Sequence, residues 1–70
     1  MTAKEVETIV RGVIVNRQLP FEVLAIVPVG SAWEIRLRQQ GAGQISVTVP
    51  DGRPIDIRRA IQDHLEEQSY

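Results

Sequence analysis

Arg53, Arg58 and Arg59 place three guanidinium groups within seven residues, and the chain's only histidine, His64, follows five residues later. Arginines that close can grip phosphate oxygens. An imidazole is the side chain best suited to moving a proton near neutral pH. Asp56 interrupts the basic run and Asp63 follows it, however, so its ordinary reading is a solvated helix face held near neutrality. His64 falls on or beside an apolar helical stripe, which predicts a partly buried packing residue rather than a catalyst.

The other candidates are weaker. Arg36 and Arg38 flank Glu34 and could bind an anion, but alternating charges on a strand more often form a solubilising face. Trp33 could stack a base only if it were exposed beside cations. At the start of an apolar strand face it reads as a core anchor. Glu66 and Glu67 close a helix where carboxylates oppose the dipole, which predicts fraying rather than acid–base work. Gly41-Ala42-Gly43 has neither the spacing nor the following helix of a phosphate loop. Without cysteine there is no thiolate metal site and no disulfide. The expectation is therefore no catalytic residue, no cofactor and no metal: not an enzyme.

The elements that must carry these residues follow from periodicity. Thr2 and Glu5 have capping-box spacing, so a first helix can open almost at the N-terminus. Val6, Ile9, Val10, Val13 and Ile14 then form one apolar stripe. Several of these are β-branched and Gly12 lies among them, so packing rather than propensity must hold this helix. Pro20 ends it, because the residue before a proline avoids the helical region. Phe21 to Val29 is rich in β-formers, and Trp33 to Arg38 alternates strictly between apolar and charged. Gln44 to Val49 alternates as well. Gly30-Ser31 is an ordinary turn, and the glycines of Gln39-Gln40-Gly41-Ala42-Gly43 suit a second tight connection. Pro50-Asp51-Gly52 marks the next turn, after which Asp56 can cap a helix beginning at Ile57. Ile57, Ala60, Ile61, His64 and Leu65 make its stripe.

Two short links imply an antiparallel meander with the middle strand in the centre. Closing the first hairpin sets Glu22 opposite Arg38 and Val23 opposite Leu37. Closing the second sets Leu37 opposite Ile45 and Ile35 opposite Val47. The strands' apolar sets then share one face. The first strand breaks the pattern, since Leu24 and Ile26 then turn to the far face. There they would form an apolar island rimmed by Glu22, Glu34, Arg36 and Arg38. The fold class is α+β: one domain over residues 1–70, an α-β-β-β-α two-layer sandwich with both helices on one sheet face.

That order resembles the double-stranded-RNA-binding-domain fold, and more narrowly the HicA-type mRNA interferase toxins built on it. Those toxins open a strand with Gly-Ser-His; here Gly30-Ser31-Ala32 stands at that place, and Val47-Thr48-Val49-Pro50 resembles their V-x-V-P strand ending. The resemblance implies RNA cleavage by the histidine, but Ala32 has no proton to transfer. It also implies phosphate contacts at the start of the last helix, where Arg53, Arg58 and Arg59 stand in place of a lysine cluster.

Seventy residues bury little surface, and 43% of them are hydrophobic, so association would relieve both marginal stability and apolar exposure. The net charge of -1 gives no global pull toward nucleic acid or anionic lipid. No apolar run is long enough to cross a bilayer, so a soluble, cytoplasmic protein is expected, with no membrane partner. The expected role is a non-enzymatic protein-interaction module, homodimeric or bound to another protein, with Leu24, Ile26, Glu34, Arg36 and Arg38 at the interface. The alternative is RNA binding through Arg53, Arg58 and Arg59.

Overall fold

The computed structural model describes residues 2–68. Helix α1 (Ala3–Arg17) leads into strands β1 (Phe21–Val29), β2 (Ala32–Gln39) and β3 (Gly43–Pro50), and helix α2 (Pro54–Gln68) closes the order. The sheet is antiparallel with β2 in the centre. This is the expected α-β-β-β-α arrangement, an α+β fold.

Helix α1 begins as its sequence dictates. Thr2 Oγ1 accepts a hydrogen bond from the Glu5 amide at 3.3 Å, and Glu5 Oε1 accepts one from the Thr2 amide at 3.1 Å. The reciprocal pair satisfies donors that the first turn leaves free. At its other end the Leu19 amide donates to the Ile14 carbonyl and the Gln18 amide to the Val15 carbonyl, a Schellman arrangement. Gln18 takes the left-handed conformation there, at φ 52°, which normally favours glycine. Helix α2 starts three residues earlier than Asp56 capping predicts. Pro54 occupies the first helical position, where its missing amide costs nothing and its fixed φ is already helical. The Arg53 carbonyl takes the first helical hydrogen bond, from Ile57 at 3.0 Å.

Both helices cover the same sheet face. Val6, Val10 and Val13 from α1 and Ile57, Ile61 and Leu65 from α2 join Trp33, Ile35, Leu37, Val47 and Val49 in one buried cluster. The helices run side by side in the same direction, and Arg17 Nη1 meets Glu66 Oε1 at 3.4 Å near their C-terminal ends. His64 is a correction: it is exposed, because the stripe that turns inward is Ile57, Ile61 and Leu65.

Candidate functional site

The hairpin between β1 and β2 decides which surface the sheet presents. Gly30 has φ +60° and Ser31 does not share a positive φ, so Val29 and Ala32 are joined by a two-residue turn with glycine first. That closure pairs Pro28 with Trp33 and Ile26 with Ile35. At the far end Glu22 still faces Arg38, and Val23 faces Leu37, as expected. The two registers differ by one residue. Leu24 is the residue left over, a β-bulge between Val23 and Ala25.

The bulge corrects the expected island. Beyond it every side chain of β1 exchanges faces. Ile26, opposite the fully buried Ile35, packs against the core and does not belong to an exposed interface. Ala25, Val27 and Val29 pair with Arg36, Glu34 and Ala32, so they lie on the face the helices leave open. Leu24 is 43% exposed and Val29 49%. An apolar row thus runs along β1, one residue out of phase with its expected position. The strand's continuous apolar composition concealed this, since either phase leaves an apolar residue at every site. The signal that could have revealed it was the turn itself, because Gly-Ser favours two-residue closure.

The charges beside the row are arranged as pairs. Arg36 Nε donates to Glu34 Oε1 at 2.6 Å, and Arg38 reaches across to Glu22. The carboxylate raises the Arg38 pKa, through the hydrogen bond first and its charge second. Glu34, Arg36 and Arg38 therefore lie together on the open face, as expected of a charged rim. An anion there would have to compete with carboxylates already in place.

Trp33 is buried, as a core anchor should be, and its indole donates from Nε1 to Asp51 Oδ1 at 3.0 Å. The Asp51 amide donates to the Ser31 carbonyl, also at 3.0 Å. Together they fasten the exit of β3 to the entrance of β2. The indole hydrogen bond is the main cause that lowers the Asp51 carboxyl below its usual range.

Of the three arginines of the alternative site, Arg53 is held in an ion pair, and Arg58 and Arg59 line one groove. Arg53 Nε is bonded to Asp56 Oδ2 at 3.0 Å. Arg58 borders the groove between the helices with Val13, Asn16, Arg17 and Gln62, and it shares a second groove with Arg59 and Asp63. Among the described residues no cluster of histidine, aspartate or glutamate could hold a metal ion, and no polar side chain is buried. No described helix is long and apolar enough to cross a membrane.

No family model matches the chain. No curated protein and no solved structure matches it either.

Proposed function

We propose that the chain is a non-enzymatic protein-interaction module that works as a homodimer, using the part of its sheet that the helices leave uncovered. One observation carries this reading: on the face the helices leave open, the exposed Leu24 and Val29 and the half-buried Ala25 and Val27 lie beside Glu22, Glu34, Arg36 and Arg38. Apolar groups inside a charged rim are the common anatomy of a protein contact. A domain of this length has little interior to spare, so area gained between chains matters to its stability.

The reading is tested by light scattering after size exclusion, over a concentration series reaching the high micromolar range. A dimer that dissociates on dilution supports it; a monomer throughout refutes it. The alternative, RNA binding through Arg53, Arg58 and Arg59, is less well supported. Arg53 is already paired with Asp56, and the groove that Arg58 and Arg59 share also holds the carboxylate of Asp63.

A further inference from the structure

The sheet has two outer edges, and they are built differently. Ladder alternation assigns the backbone groups of each. The two-residue turn makes Val29 and Ala32 a hydrogen-bonded pair, so Pro28 directs its nitrogen outward, where no amide is needed. The bulge at Leu24 interrupts the same edge. A proline and a bulge are the devices that keep an edge strand from pairing with another chain.

Strand β3 has no bulge, and its proline, Pro50, is its last residue, beyond the stretch from Gln44 to Thr48. Its ladder with β2 is regular from Gly43 to Pro50, and the strand contains no charged residue. The Asp51 amide bonds to the Ser31 carbonyl in the same register, so the alternate residues Gln44, Ser46 and Thr48 direct their backbone groups to the free edge. The side chains of those three residues are exposed.

We infer that the dimer forms by antiparallel pairing of β3 with β3 of a second copy, joining the two sheets into one continuous sheet of about six strands. This rests on the homodimer reading and adds the surface. A two-fold axis between the two Ser46 residues sets Ser46 against Ser46 and Gln44 against Thr48 on the open face. On the helix side it sets the half-buried Ile45 against Val47. Every pair is compatible: hydroxyl with hydroxyl, amide with hydroxyl, apolar with apolar. Centring the axis one residue later would bring Pro50 opposite Gln44 and lose a donor. The occupant that fits this edge is thus the chain's own strand.

The test is Ser46→Lys. It sets like charges opposite each other across the axis while leaving an exposed side chain in a solvated position. Far-UV circular dichroism should show an unchanged fold, and the dimer's dissociation midpoint should rise at least about tenfold. Mixing Ser46→Lys with Ser46→Glu should restore a dimer containing one of each. Ser46→Pro is the second variant: it removes an outward donor and no bond to β2, and it should also favour the monomer. If both variants stay dimeric while Leu24→Glu dissociates, the edge inference is overturned and the homodimer reading stands. A wild-type protein that is monomeric at every concentration overturns both.

Discussion

The bulge at Leu24 makes neighbouring substitutions in β1 behave oppositely, and the size of the difference follows from burial. Leu24 is 43% exposed, so Leu24→Glu removes little packing and leaves its carboxylate in water. Surface changes of this kind fall within about 0.5 kcal/mol. Ile26 packs against the core opposite Ile35, which is fully buried. Complete burial would make Ile→Ala cost about 2–5 kcal/mol; for a partly buried side chain, about 1–2 kcal/mol is expected. Ile26→Glu should cost more, because it moves a charge against an apolar layer. A domain of this size holds roughly 0.05–0.15 kcal/mol per residue, so Ile26→Ala removes a large share of the total. At roughly 4–8 °C per kcal/mol, its melting temperature should fall by about 4–16 °C, and that of Leu24→Glu should barely move. Deleting Leu24 should also be tolerated, since Ile26 would still face Ile35 without it. Thermal unfolding followed by circular dichroism reads all of these. If Leu24→Glu proves the more damaging, or the deletion unfolds the protein, the strand has no bulge and this reasoning fails.

Two other outcomes follow from local geometry. Gln18→Gly should stabilise α1 by about 1 kcal/mol, because glycine adopts the left-handed conformation without the steric cost that Gln18 bears at φ 52°; urea unfolding would show it, and a loss of stability would mean that the Gln18 side chain contributes more than its backbone costs. The Asp51 pKa is lowered in the fold, chiefly by the Trp33 indole, so its contribution is present above the usual carboxylate range and is lost as pH falls through the lowered value. Asp51→Asn should therefore flatten the acid side of the stability profile, and an unchanged profile would show that other carboxylates govern it.

Much of the fold was legible because each element carries its own period. The stripe of α1, the alternation of β2 and β3, and the Thr2–Glu5 cap each state one local choice, and those choices agree. The same periodicity identified Val23 opposite Leu37 and Ile35 opposite Val47. Two features were not legible. Pro54 suggests a turn, yet it also opens a helix, and only the packing of Ile57 and Ile61 against the sheet decides between them. Strand β1 is apolar at almost every position, so its sequence cannot fix its own phase. The phase is set at the two ends, by Gly30-Ser31 and by Glu22 opposite Arg38, and these disagree by one residue.

That disagreement gives β1 its character on the surface. Carried unbroken to the turn, the Glu22–Arg38 register would hold Ala25, Val27 and Val29 against the core and turn Ile26 outward. The larger Ile26 serves better inside, next to Ile35, and the bulge secures it while sending the smaller Ala25, Val27 and Val29 to the open face. The bulge also bends and interrupts the edge, and Pro28 removes an outward donor from it. The strand with the most apolar exposed surface is thus the one least able to recruit another strand by hydrogen bonding. Strand β3 has the reverse combination, an edge without a bulge whose proline, Pro50, comes only at its end, after the exposed Gln44, Ser46 and Thr48. Contacts made through β1 must rely on apolar packing, and contacts through β3 on the backbone ladder. The two edges of one small sheet are therefore chemically distinct surfaces.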